Sequence, residues 1–209
     1  IKKKGLKYKV CISIKNEKKC FYTNSNFDNY IKNLLAALTV IKIYKDINKL
    51  DSNIFYDYQT PEGRGDISKI KINKKNIYLI DESYNSNPLS LNSAIKNFDS
   101  IKINKSKKHL ILGDMLELGR HSKKLHAEIS STINRSSINR VNVIGNYVVE
   151  TYRNINKDKK GLILKKKSEI IDLIKNNINN NDYLMIKGSN STGLYKLANA
   201  LKAGRVNAL

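Results

Sequence analysis

Apolar residues recur at every second position near the start of the chain. Leu6, Tyr8, Val10, Ile12 and Ile14 alternate with Lys7, Lys9, Cys11 and Ser13, a period of two that predicts a half-buried strand. Asn16-Glu17 predicts a polar turn, with Cys20–Thr23 returning as the hairpin partner. The period then lengthens. Ile31, Leu34, Leu35, Leu38 and Ile41 fall at helical spacing, and Asp28 or Asn29 can serve as N-cap. Residues 51–66 (DSNIFYDYQTPEGRGD) are polar and carry Pro61, Gly63 and Gly65, which predicts a loop or linker and places a domain boundary there.

Beyond that boundary the pattern becomes strand–loop–helix, repeated. Asn76–Ile80 is a buried strand followed by the polar loop DESYNSNP (Asp81–Pro88), where Asn87 and Pro88 suit an N-cap and a first-turn proline; Leu91, Ala94, Ile95 and Phe98 give the next helix its apolar face. His109–Leu112 leads through Gly113–Gly119 (GDMLELG) to a helix with Leu125, Ile129 and Ile133. Val141–Ile144, Gly145 and a helix near Tyr147–Tyr152 form the third unit; Leu162–Leu164 and a helix from Ser168 with Ile171, Ile174 and Ile178 form the fourth. Tyr183–Ile186, the loop Lys187–Thr192 (KGSNST) and a helix with Leu194, Leu197, Ala198 and Leu201 close the series. Five apolar strands alternating with amphipathic helices predict an α/β fold, a Rossmann-like, mostly parallel sheet covered on both faces. The long polar loops follow strands, so they gather at the carboxyl edge, where open α/β sheets bind ligands.

Composition adjusts this picture only slightly. Hydrophobic residues make up 40% of the 209, enough for a packed core. No run approaches eighteen apolar residues and no charged-then-apolar leader opens the chain, so neither a membrane span nor a secretory signal is expected. Cys11 and Cys20 are too few for a disulfide scaffold and too isolated for a zinc site, so a reduced, cytoplasmic compartment is the expectation. There are 39 basic and 18 acidic side chains, for a formal charge of +21, which suits nucleic-acid binding. The lysines are spread along the chain, however, and the runs Lys2–Lys4 and Lys165–Lys167 have no stacking aromatics beside them. Abundant Lys, Asn and Ile together follow from AT-rich codons, so nucleic acid is not the expected partner. Residue 1 is Ile, from which the expectation is a processed terminus or the downstream part of a longer protein.

The three long loops carry the candidate chemistry. DESYNSNP gathers Asp81, Glu82, Tyr84, Asn85 and Asn87; a carboxylate there can accept from ribose hydroxyls and amides can read a base edge, or Asp81, Ser83 and Asn87 can simply cap turns and the helix. GDMLELG offers Asp114 and Glu117 to a cation or a substrate amine, or tucks Met115, Leu116 and Leu118 inward as structure. KGSNST puts Lys187 at a strand end before a glycine turn and a helix start, which suits phosphate or carboxylate. No G-x-x-x-x-G-K-[ST] occurs in the chain. His109 reads as opening a strand, and His121 and His126 as lying on or near an exposed helical face.

In order, Gly63-Arg64, DESYNSNP, LGDMLELG (Leu112–Gly119) with His126 following, and Lys187-Gly188-Ser189 resemble the Mur ligase family, in its D-alanyl-D-alanine-adding branch, from about Asn29 to Leu201. The resemblance implies that residues 1–65 are the tail of a central P-loop ATPase domain and residues 66–209 a Rossmann-like C-terminal domain. It implies ATP-driven amide bond formation in peptidoglycan precursor synthesis. ATP phosphorylates the carboxylate of UDP-N-acetylmuramoyl-tripeptide, and the amine of D-alanyl-D-alanine attacks the acyl phosphate, with Mg²⁺ and cationic side chains stabilising the developing charge. By position, Asn33 would meet the adenine, Arg64 the nucleotide and Glu82 the ribose hydroxyls, with Tyr84, Asn85 and Asn87 beside the nucleotide. Lys187, Gly188, Ser189, Asp114 and Glu117 would line the substrate side. Glu82 stands where the family has aspartate and Asn29 where it has histidine. The P-loop and the Mg²⁺ ligands have no counterpart in the chain, so they are expected upstream as a missing P-loop portion. The chain alone is then expected to be inactive, no catalytic residue or metal ligand is assigned in it, and strands 6–23 are expected to expose an apolar face. A sister ligase such as a folylpolyglutamate synthase, or a basic non-catalytic α/β module that binds nucleic acid, are the alternatives; LGDMLELG argues against the first and the three matching loops against the second.

Overall fold

Lys15 and Asn16 both take left-handed backbone conformations, φ 46° and 67°, which makes a two-residue hairpin turn whose twist matches the flanking strands. The turn therefore falls one residue earlier than Asn16-Glu17. A computed structural model describes residues 2–4, 7–25, 28–58 and 61–205. They separate into two compact units, divided between residues 60 and 61. Leu6 and the side chains of Asp28 and Asn29, expected as strand and cap residues, lie outside the described part.

In the first unit, β1 (Lys2–Lys4), β2 (Lys7–Ile14) and β3 (Glu17–Thr23) form an antiparallel sheet, followed by α1 (Asp28–Tyr44). Val10, Ile12, Ile14 and Phe21 pack with Leu34, Leu38 and Ile47. These strands are thus covered by α1 within their own unit, which corrects the expected exposed apolar face. Leu35, expected inward, is 41% exposed: the buried stripe runs through Tyr30, Leu34 and Leu38, and Leu35 lies beside it. The hairpin register sets Cys11 opposite Cys20, and the two are joined by a disulfide. That corrects the expectation of reduced, isolated cysteines. Nine residues apart in sequence, they become direct cross-strand neighbours through the turn.

In the second unit, the sheet has the order β4-β5-β9-β6-β7-β8. The strands are β4 (Asp66–Ile72), β5 (Lys75–Glu82), β6 (Lys108–Gly113), β7 (Arg140–Ile144), β8 (Lys160–Leu164) and β9 (Tyr183–Lys187). The last five are parallel, as expected, and β4 adds an antiparallel edge strand that was not anticipated. The helices are α2 (Pro88–Ser100), α3 (Ser122–Asn134), α4 (Val149–Asn154), α5 (Lys167–Asn177) and α6 (Leu194–Lys202).

Two apolar cores flank the sheet. Residues of α2 and α3 (Leu91, Ile95, Phe98, Ile129, Ile133) pack with Leu110, Leu112, Val141 and Val143 on one face. Residues of α5 and α6 (Ile170, Ile174, Leu194, Leu197) pack with Ile111, Leu184 and Ile186 on the other. The chain moves from β5 to β6 to β7 to β8 in one direction along the sheet, then returns to insert β9 between β5 and β6. Loops after β5 and β6 lead to helices on one face, and the loop after β9 leads to α6 on the other. The carboxyl end of β9 is therefore a topological switch point, where a crevice opens.

Candidate functional site

The crevice contains an ion pair between neighbouring strands. Glu82 at the end of β5 stands in register with Lys187 at the end of β9, and Nζ of Lys187 lies 3.4 Å from Oε2 of Glu82. The Lys187 side chain is 1% exposed and that of Glu82 20%. Nζ also donates to the carbonyls of Asn85 (2.9 Å) and Glu82 (3.4 Å). Burial raises the Glu82 pKa above the ordinary glutamate value, against the opposing pull of the Lys187 ammonium. Burial likewise lowers the Lys187 pKa, against the pull of Glu82. A charged pair held out of water in this way gains little stability over apolar residues of the same volume, so its chemistry explains its place better than its energy does.

The loop before β4 is pinned over this pair. Gly65 N–H donates to the Asp81 carbonyl (2.7 Å) and Tyr84 N–H to the Gly63 carbonyl (3.1 Å); Gly63 N–H donates to Oδ1 of Asp66 (2.8 Å). These bonds tie residues 63–65 to the second unit, so the units divide at 60/61 where the sequence suggested a boundary after residue 65. Gly65 has φ +95°, and a Cβ there would stand 3.1 Å from Oε1 of Glu82. Only glycine brings the loop that close to the carboxylate without strain. Arg64, exposed, holds its guanidinium 4.5 Å from the centre of the Tyr84 ring, a cation–π stack. Tyr84 in turn meets Tyr195 edge-on at 6.0 Å. Behind the strand, the Lys202 ammonium bridges Asp66 (2.9 Å) and the fully buried Asp81 (2.7 Å). Burial alone would lower the Lys202 pKa, but its bonds to the two carboxylates raise it.

Other expected site residues have their polar groups engaged within the protein. Asn87 caps α2, its side chain accepting from Ser90 N–H while the Ser90 hydroxyl accepts from Asn87 N–H. The Asp114 carboxylate accepts from the N–H groups of Asn146, Tyr147 and Val148 at 2.7–2.9 Å, bracing the start of α4. The Ser189 hydroxyl accepts from Leu116 N–H and donates to the Ser86 carbonyl, stapling the three loops together. Gly188 backs onto Gly113. Glu117 is exposed with φ 64°, and Asn85 uses its side-chain oxygen to accept from Ser86 N–H. Asn33 is an exposed residue of α1 in the first unit. Arg64, Glu82, Tyr84, Asn85 and Lys187 are thus gathered at one place, with Asn87, Asp114, Gly188 and Ser189 holding the loops around it.

His126 corrects the sequence reading. It is 1% exposed, on the buried face of α3. Its Nδ1 donates to the Ser122 carbonyl (2.7 Å) and its Nε2 accepts from Met115 N–H (2.9 Å), which requires the neutral ring with its proton on Nδ1. The ring therefore carries the backbone of GDMLELG. His109 is buried as well, with Nε2 3.0 Å from Asp182. Lys202 and His126 were not singled out as site supports. Their partners are backbone groups or residues far away in sequence, which leave no local pattern. Among the described residues no group of three or more His, Cys, Asp or Glu is placed to hold a metal, and no helix is long and apolar enough to cross a membrane.

Residues 68–190 match the family model described as Mur ligase, glutamate ligase domain. Over 129 residues, 60% of its length, the chain is 38% identical to UDP-N-acetylmuramoyl-tripeptide–D-alanyl-D-alanine ligase from Buchnera aphidicola, covering 27% of that protein. Over 170 residues it is 28% identical to the ligase of the same name from Rickettsia prowazekii, covering 81% of this chain and 36% of that one. The chain thus spans about a quarter to a third of the length of these curated relatives. In fold it resembles the crystal structure of MurF ligase from Thermotoga maritima in complex with ADP, with a TM-score of 0.77 and 16% identity over 98% of this chain and 45% of that one.

Proposed function

Because the chain belongs to the Mur ligase family, we propose that it is part of an ATP-dependent amide ligase. In this reading the ligase joins D-alanyl-D-alanine to UDP-N-acetylmuramoyl-tripeptide for peptidoglycan precursors, inside the cytoplasm. The observation that carries this reading is the meeting of DESYNSNP, GDMLELG and KGSNST at adjoining strand ends around the buried Lys187–Glu82 pair. The relatives' names supply the substrates. The second unit, from Pro61 onwards, serves as the C-terminal domain, and the preceding segment as the tail of the ATPase domain.

The residues present fit the nucleoside end of ATP. Glu82 keeps a partly exposed carboxylate beside the Gly65 backbone, able to accept from ribose hydroxyls, while Arg64 and Tyr84 present a cation and a ring at the same rim. Asn85 lines that rim. ATP, when bound, supplies the phosphoryl group that activates the tripeptide carboxylate. The chain's own part is to orient. Lys187 holds Glu82 and the Asn85 carbonyl in place, and Ser189 and His126 fix the GDMLELG backbone, which with Glu117 faces the incoming dipeptide. The donor set here does not fit Mg²⁺, so no step through the metal is assigned to these residues. With no P-loop sequence in it, the chain by itself does not catalyse.

The test is a chimera in which this chain replaces the matching segment of the Buchnera ligase. ATP-dependent product formation that requires D-alanyl-D-alanine is the expected result. A folded chimera that accepts glutamate or single D-alanine equally well would overturn the substrate assignment.

A further inference from the structure

At the opposite end of the same strands lies a groove of about 310 Å³, about 13–16 Å from the carboxyl edge at 3.3 Å per strand residue. Three adjacent parallel strands each begin there with a cation. Lys107 directly precedes β6, Arg140 opens β7 and Lys160 opens β8. His109 and Asn142 lie between them on the α5 side of the sheet, and Leu162 forms an apolar wall. No carboxylate lines the groove among the described residues. The adjoining hollow beyond Leu162 and Leu173 differs in carrying Glu169 and Asp172.

A chain of charge +21 places cations together by chance, but most of these are held in position. Arg140 donates through Nη1 to the carbonyls of Asp158 and Lys160, leaving the rest of its guanidinium for a ligand. Lys160 donates to the Arg153 carbonyl and sits 5.3 Å over the Tyr152 ring, which keeps its ammonium on the α4 side and leaves its stem at the groove edge. His109 is fixed through Nε2 by Asp182. The floor is shaped by a bulge: β8 gains one residue on β7 between Val141 and Val143, and the Asn142 side chain accepts the Leu162 N–H in place of the ladder bond. Gly161 permits this, since a Cβ there would run into the Asn142 amide. Such bulges re-aim side chains beside functional sites.

We propose that this groove binds a small phosphate-bearing molecule, with the Arg140 guanidinium and the Lys107 ammonium meeting the phosphate and the Leu162 wall taking any apolar remainder. Its volume lies at the small end for ligand sites, which favours a phosphate monoester over a polymer. Arg in particular matches the fork geometry of phosphate oxygens.

The test titrates the full chain with inorganic phosphate and, separately, with adenosine 5′-monophosphate, at ionic strength held constant with chloride. Backbone amides and the His109 ring are followed by NMR. Saturable shifts confined to residues 107–109, 140–142 and 160–162 are expected with inorganic phosphate; the nucleotide should give the same shifts, and any separate shifts at Arg64, Glu82 and Tyr84 report the rim of the proposed ATP site instead. Tighter binding of the nucleotide would identify a phosphate ester, and equal binding free phosphate. Lys107→Ala and Arg140→Ala should each weaken binding about tenfold, the worth of one charged hydrogen bond. Lys107 is exposed, so its variant keeps the test valid if Arg140→Ala fails to fold. Non-saturating shifts, shifts spread over the surface lysines, unchanged affinity in Lys107→Ala, or far tighter binding to a single-stranded oligonucleotide would each overturn the proposal.

Discussion

Replacing Lys187 by Met tests whether the ion pair in the crevice is held out of water. The ammonium is 1% exposed and has three acceptors: the Glu82 carboxylate and the carbonyls of Glu82 and Asn85. Removing it leaves a buried carboxylate without its counter-charge, which costs about 3–5 kcal/mol in a dry site. Glu82 retains 20% exposure and the pair is 3.4 Å apart, so the low end applies, about 3 kcal/mol. For a unit of this size that is a fall in Tm of about 6–12 °C. Glu82→Gln is milder, about 1 kcal/mol, because Lys187 keeps both carbonyls. The double variant removes both charges and should lose only about 1 kcal/mol, making it more stable than Lys187→Met alone. The pH dependence follows from the raised Glu82 pKa. A carboxyl that prefers its proton in the folded state contributes stability below its unfolded pKa and loses it as pH rises. The Lys187→Met deficit should therefore shrink as pH falls from neutrality towards the ordinary glutamate value of 4.5, the change falling above that value where the folded carboxyl takes its proton. Urea unfolding by circular dichroism, with hydrogen exchange of the β9 amides to locate the transition, measures each term. Additive losses of about 4 kcal/mol in the double variant, or a loss below about 1 kcal/mol in Lys187→Met, would refute the buried pair.

Three further outcomes follow from the surrounding contacts. His126→Phe fills the space but leaves Met115 N–H without its acceptor, at a cost of about 1–3 kcal/mol; faster exchange of the Met115 amide, with β6 unchanged, is the signature. Asp114→Ala strips three N–H groups of their acceptor at the start of α4, costing about 3 kcal/mol, visible as early loss of exchange protection at residues 146–152. His109 has its pKa lowered by burial, with Lys107 and Arg140 adding to the effect against Asp182. Its neutral form is thus favoured in the fold, giving stability present above the unfolded value and lost as pH falls; His109→Gln should flatten the fall in urea midpoint between pH 8 and pH 5.

The five parallel strands were legible because strands buried on both faces read as unbroken apolar runs such as Asn76–Ile80 and Leu110–Leu112. The edge strand β4 was not. Its alternation survives in Ile70 and Ile72, both 4% exposed, but Ile67 faces solvent at 47%, and the intervening lysines make the segment resemble a charged loop. Leu162 and Ile163 misled in the opposite sense: apolar in sequence, they are about half exposed on the other edge. At the site, Asn87 announced itself as a cap through the following proline, and Lys187 through its position at a strand end. His109 was read at its strand start, but its burial went unread and His126 was misjudged, because burial of a histidine depends on its partner. Asp182 lies 73 residues from His109, and the acceptor role of His126 is set by a backbone N–H of another loop. The pairing of Cys11 with Cys20 depended on the turn falling at Lys15-Asn16.

The central claim is that the rim between β5 and β9 faces the nucleotide. In the Buchnera chimera, Glu82→Gln and Arg64→Ala should each raise the KM for ATP about tenfold, one charged hydrogen bond, with the KM for D-alanyl-D-alanine unchanged. An unchanged KM for ATP together with a raised KM for the dipeptide would contradict it, and would place the dipeptide where the nucleotide is assigned.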